Sequence, residues 1–290
     1  MHSTAPAPLA PTLCGHLFRP LGDELVTLLR ELPADAWSLS TVCRGWQVRD
    51  IAAHLLDSGL RRLSFGRDAL ALLPPPRPIA GYGDLVAFLD QLNGDWVTAM
   101  RRLSPRILTE LMAWLEPQLA EHLASIDPDG TALFSVAWAG EETSAAWFDV
   151  ARELTERWLH QQQIRLAVGA RPLDDAETSA AVFDTLLRAF PHAYASLDAA
   201  VGSNVSIAIG GERLLTYTLE RANEGWVVLG GTATPPRGRR HASVRLDEQT
   251  AWLMLSKGIP PDEARERATV TGDAPLLDPF FGTLAVMAQR

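Results

Sequence analysis

Glu156 and His160 stand four residues apart in the run Glu156-Arg157-Trp158-Leu159-His160. On a helix that spacing puts both side chains on one face, about one turn apart, where they can bind a single ion. His54, set among Ala52, Ala53, Leu55 and Leu56, offers a third donor from a different segment. Two imidazoles and one carboxylate, with a coordination position left open, make up one known form of catalytic zinc site. Each residue also has a plainer reading. A Glu-x3-His pair is commonly a solvated pair, and a histidine on an apolar face is commonly a core or capping group. Glu153, one turn before Glu156, is a candidate catalytic base or supporting group, and otherwise a surface carboxylate. Asp57, one turn beyond His54, is placed either for the surface or for a hydrogen bond that orients a ligand imidazole.

The segments that must bring these groups together read as helices. Residues 21–32 carry Leu21, Leu25, Leu28, Leu29 and Leu32 at a period near 3.6, ending at Pro33. A second helix is expected over 48–73, closed by Pro74-Pro75-Pro76. Others are expected over 84–103, 105–123, 148–168 (with Gly169 as C-cap) and 175–195. His54 and the Glu156/His160 pair therefore sit on two long helices, the usual setting for metal sites inside bundles.

Near residue 202 the pattern changes to strand alternation, in 205–209 and 214–219 around the hairpin signal Gly210-Gly211, then in 226–229 and 242–246. A helix over 248–256, a strand over 268–271 and a closing helix over 275–287 complete the chain, with a Gly/Pro-rich loop over 230–238. The expected organisation is α+β. Residues 1–19 form a disordered or extended tail, 20–198 a helical bundle with an up-down four-helix core, and 199–290 a small α+β domain.

Composition narrows the function. At 47% hydrophobic and 21% charged, the 290-residue chain has globular proportions. A formal charge of −9 without a basic stripe argues against a nucleic-acid surface. No apolar run reaches the length of a transmembrane helix, so no membrane role is expected. The first residues lack the basic and apolar regions of an export signal, which makes the cytoplasm the expected compartment. Two cysteines, Cys14 and Cys43, exclude a disulfide framework and a Cys-rich zinc module. Cys43 precedes a helix N-terminus, where a thiol can be activated, but reads more simply as a small turn residue. Trp46, Trp138, Trp147 and Trp158 suit either a substrate cleft or the core. Arg49, Arg157 and Arg165 are candidate anion binders or ordinary salt-bridge partners.

The stretch Gly45-Trp46-Gln47-Val48-Arg49-Asp50-Ile51-Ala52-Ala53-His54-Leu55 resembles the Gly-Trp-x-Val-x-Asp-x-x-x-His-Leu signature of DinB-like metal-binding bundles. Residues 152–165, from Arg152-Glu153 to Ile164-Arg165, resemble the second signature of the mycothiol-dependent maleylpyruvate isomerase branch. By that resemblance the zinc ligands fall on His54, Glu156 and His160. It also implies a zinc or other divalent ion, mycothiol or a similar thiol as cosubstrate, and a small-molecule substrate, in a monomer or homodimer. Asp247-Glu248-Gln249-Thr250-Ala251-Trp252 and Val270-Thr271-Gly272-Asp273 are similar to words of the family's C-terminal domain. Two positions depart from the pattern. Gln47 stands where a Ser or Thr cap is usual, and Phe281-Gly282-Thr283-Leu284-Ala285-Val286-Met287 stands in place of the Trp/Gly/Arg-type ending of the isomerases, so that their thiol-binding arginine has no clear counterpart.

Zinc with an open position lowers the pKa of a bound thiol and polarises a carbonyl. The resemblance therefore implies cis–trans isomerisation of a maleylpyruvate-like acid by thiol addition, bond rotation and thiol loss, or thiol S-transfer to another acceptor. A hydrolase using Glu153 as base, and a non-enzymatic metal- or partner-binding protein, remain the alternatives.

Overall fold

The computed structural model describes residues 6–287 other than 73, 212 and 232–235. Helices α1 (Phe18–Glu31), α2 (Val48–Arg62), α3 (Tyr82–Met100), α4 (Pro105–Ser125) and α5 (Ala146–Val168) come first, followed by α6 (Ala176–Leu186) and the short α7 (Phe190–Ala193). In α1 the leucine stripe points inward, and Leu32 turns extended ahead of Pro33, as the residue before a proline must. α5 ends on Gly169 in the left-handed conformation.

Helices α2 and α5 run antiparallel. His54 meets Glu156 at 2.8 Å, and nearer the end of α2 Arg62 meets Asp149 at 2.7 Å. Residue numbers thus rise along one helix as they fall along the other. α5 lies centrally, against α1, α2 and α6. Its Trp158 is fully buried and packs on Phe183 of α6, with ring centroids 6.2 Å apart.

Strands β1 (Ala7–Pro8), β2 (Asn204–Ile209), β3 (Leu215–Arg221), β4 (Trp226–Gly230), β5 (His241–Leu246) and β6 (Thr269–Gly272) form one sheet in the order β1-β4-β3-β2-β5-β6. Among the described residues only β2 and β5 pair in parallel, with Ile207 opposite Val244, while Ile207 also faces Tyr217 across the antiparallel β2–β3 hairpin. The period-2 pattern buries Val205, Ile207, Ile209, Leu219, Ala242, Val244 and Leu246. Helices α8 (Glu248–Leu255), α9 (Pro261–Arg267) and α10 (Asp278–Phe281) complete the chain. Trp158 of α5 also meets Trp252 of α8 edge to face, so bundle and sheet share one continuous core.

Several expected boundaries shift for local reasons. Within the segment expected as a disordered or extended tail, residues 7–8 are extended and pair with β4, and Cys14 and Leu17 are buried. α2 stops at Arg62, eleven residues short of the expected end (Leu73 itself lies outside the described residues), and passes into a π turn over Leu63–Arg67. There Ser64 Oγ donates to the Leu60 carbonyl, and Gly66 weakens further helix. The helix expected over 175–195 breaks at a 3₁₀ turn (Leu187–Ala189), because Pro191 cannot sit in a continuous helix interior. The closing helix shrinks to α10, hemmed in by Pro279 and Gly282. Part of the loop expected over 230–238 lies outside the described residues. α9 was not expected, although Pro261 at its start, Asp262 and Glu263 in its first turn and Arg265 and Arg267 in its last are helix signals.

Candidate metal centre

α2 starts where the chain leaves a tight loop. Ser40 and Gln47 form an isolated antiparallel bridge, Thr41 N–H donates to the Trp46 carbonyl at 3.0 Å, and Gly45 takes φ +84°, a conformation that favours glycine. The Gln47 backbone N–H is satisfied by Asp50 Oδ2 at 3.0 Å, so the reciprocal carboxylate compensates for the weak cap residue. Arg101 holds that same carboxylate with two nitrogens, at 3.0 and 2.9 Å. His54 follows, 6% exposed, with Ile51 and Leu55 fully buried beside it.

The antiparallel register then brings the three expected donors together. Ligand-capable atoms of His54, Glu156 and His160 lie within 4.8 Å of one another. Nε2 of His54 is 2.8 Å and Nε2 of His160 is 3.0 Å from one carboxylate oxygen, Glu156 Oε1. The indole of Trp46 covers the pair of rings, its centroid 5.1 Å from that of His54 and 6.3 Å, nearly parallel, from that of His160.

A carboxylate oxygen only accepts, so each Nε2 donates to it here. Burial pushes the Glu156 carboxyl up, but the two imidazoles outweigh it and hold the group well below the usual carboxylate range. For His160, burial pushes down, while the Glu156 carboxylate and the Cys43 thiol hold the ring well above its ordinary value. Burial dominates at His54, whose pKa is lowered although the bond to Glu156 opposes the shift. This donor set fits a divalent ion: nitrogen and carboxylate ligands held by two rigid helices within 4.8 Å of one another.

The two expected supporting carboxylates stand elsewhere. Asp57 makes no bond to His54, whose Nδ1 is buried without a hydrogen-bond partner among the described residues. Arg61, one turn further along α2, takes the Asp57 carboxylate at 3.0 Å instead, and burial raises the pKa of the Asp57 carboxyl. Glu153 is neither at the surface nor among the three donors. It is 4% exposed and pairs with Arg152 at 3.3 Å, because α5 is buried on nearly every side. The candidate arginines are also engaged: Arg49 donates to the Arg101 and Leu103 carbonyls, Arg157 pairs with Glu116, and Arg165 pairs with Glu24.

One group that sequence reasoning passed over, Gln163, sits beside the site together with Cys43. Gln163 Oε1 lies 2.7 Å from His160 Nδ1 and 3.0 Å from Cys43 Sγ. The signal for Gln163 was its i+3 position after His160, obscured by two preceding glutamines.

A bundle of long helices ahead of a mixed six-stranded sheet, with two imidazoles and a carboxylate converging between α2 and α5, sets the structural class. Within it, residues 18–165, about half of the chain, match the mycothiol maleylpyruvate isomerase N-terminal domain, and the chain belongs to that family. The crystal structure of the mycothiol-dependent maleylpyruvate isomerase is similar in fold, with a TM-score of 0.53 over 90% of this chain and 93% of that one at 12% identity. Two uncharacterized proteins of Mycobacterium tuberculosis, from different strains, are each 30% identical over 155 residues. The match takes in 51% of this chain and 53% of theirs, so the chain spans about half the length of these curated relatives. Among the described residues no helix is long and apolar enough to cross a membrane.

Proposed function

We propose that the protein is a divalent-metal enzyme, with zinc as the metal, that uses a low-molecular-weight thiol such as mycothiol. Its reaction is cis–trans isomerisation of a maleylpyruvate-like acid, or thiol S-transfer to a related acceptor. The observation that carries this reading is the convergence of His54, Glu156 and His160 within 4.8 Å, in a chain of this family.

The three side chains would hold the ion, which when bound supplies a Lewis acid that stabilises a thiolate at neutral pH. The protein's own part is positional. α2 and α5 fix the donors, and the Trp46 indole lies over both rings and limits water on that side. Isomerisation of this kind needs thiol addition to the activated double bond, rotation about the resulting single bond and loss of the same thiol. It requires no protein nucleophile. Hydrolysis with Glu153 as base is less well supported, since Glu153 is buried and paired with Arg152.

The test is turnover of a maleylpyruvate-like cis acid by zinc-loaded protein, with and without added mycothiol. The expected result is turnover that requires the thiol and is abolished in Glu156→Gln. Turnover that persists after complete removal of thiols would transfer the assignment to hydrolysis.

A further inference from the structure

We infer that Gln163 is the positioning residue of this centre, selecting which nitrogen of His160 faces Glu156. The inference rests on the metal-centre reading above and adds what holds the ligand in place. Gln163 is 3% exposed and lies one turn after His160 on α5. Its Oε1 is shared by two groups, His160 Nδ1 at 2.7 Å and Cys43 Sγ at 3.0 Å. A carbonyl oxygen has two lone pairs and no hydrogen, so both neighbours donate to it, N–H from the ring and S–H from the cysteine.

With Nδ1 committed as a donor, Nε2 is the nitrogen left to coordinate an ion, and it is Nε2 that lies 3.0 Å from Glu156 Oε1. The amide therefore fixes both the tautomer and the angle of the ring. No equivalent exists at His54, whose Nδ1 has no hydrogen-bond partner among the described residues and whose ring is placed by packing against Trp46. One ligand is thus held from behind by a hydrogen bond and the other by its neighbours. The same oxygen also ties the loop carrying Cys43 and Trp46 to α5, so the indole over the site and the ligand beneath it share an anchor.

Zinc affinity, measured at one pH by competition with a chromophoric chelator, tests the inference on wild type, Gln163→Leu and Gln163→Glu. Leucine keeps the volume and removes the acceptor, and it should weaken zinc binding by about 10- to 100-fold. Glutamate keeps an acceptor oxygen at the same reach and should restore affinity to the wild-type level or above. A long-range proton–nitrogen NMR spectrum of zinc-loaded wild type should show His160 bound through Nε2 with hydrogen on Nδ1, a readout that stands even if the leucine variant fails to fold. Wild-type affinity in a folded Gln163→Leu variant, or coordination through Nδ1, overturns the role of Gln163 alone. Failure of wild type to take up zinc overturns the metal-centre reading and this inference with it.

Discussion

Removing His160 perturbs the proposed centre most directly, because the expected loss can be worked from the packing. The three donors sit within 4.8 Å of one another on two helices locked into a continuous core. Little chain has to be ordered when an ion binds, so most of the binding free energy should appear as added stability of the folded state. At free zinc one hundred times the Kd, that gain is about 2.7 kcal/mol. At roughly 2–4 °C per kcal/mol for chains approaching this size, the melting temperature should rise by roughly 5–11 °C. His160→Ala leaves only one imidazole and one carboxylate, and at the same zinc concentration its melting temperature should stay where it is without metal. His192→Ala is the control: His192 is exposed and its ring rests against Gly140, so this variant should keep the full shift. Differential scanning fluorimetry gives the shift, and metal analysis after gel filtration gives the stoichiometry. Equal shifts and equal bound zinc in wild type and His160→Ala would refute the reasoning.

Two further outcomes concern the charges around the site. In the metal-free protein burial lowers the His160 pKa, but the Glu156 carboxylate more than offsets it, so the folded value lies well above 6.5. The share of stability from this raised value is full below 6.5 and is lost as pH climbs through the folded pKa, so the urea midpoint should fall above pH 6.5. Glu156→Gln removes the carboxylate that retains the proton and should flatten that decline; parallel curves in the two proteins would contradict it. Elsewhere, Arg157 pairs with Glu116 where both are buried, and it also donates to the Leu55 carbonyl next to His54. Glu116→Ala strands that guanidinium and should cost about 3–5 kcal/mol in urea denaturation, while Glu116→Leu with Arg157→Met should recover most of it. A single-variant loss below about 1 kcal/mol, the scale of a surface pair, would show that the pair is solvated.

How far the site could be read from sequence follows from the physics of each residue. Glu156 and His160 share a helix, and the helical period fixes their separation whatever surrounds them. His54 lies on another helix, and its distance to them depends on the antiparallel register of α2 and α5, which no local pattern encodes; its family signature made it legible. Strands showed themselves by alternation, because one face of the sheet is buried and the other is less so. Helix ends were legible where the stop is covalent, as at Pro33, or conformational, as at Gly169. They were missed where a single local residue interrupts a longer apolar pattern, as at Ser64 and Gly66 in the π turn after Arg62 and at Pro191 after the 3₁₀ break.

The burial of α5 explains where its polar residues stand, including the salt-bridge reading of Arg157 and Arg165, which holds. α5 carries Glu153, Arg157, Gln161, Gln162, Gln163 and Arg165, a composition that suggests a solvated face, yet all six are buried. Residues of this kind stay inside a protein only when paired. Glu153 is used by Arg152, Arg157 by Glu116, Arg165 by Glu24, and Gln163 by His160 and Cys43. A surface helix would have left them to water, free to serve as a base or an anion clamp. In a central helix such pairs hold the charged groups in place, and the donors that converge on one point are the pair of rings and the carboxylate beneath Trp46.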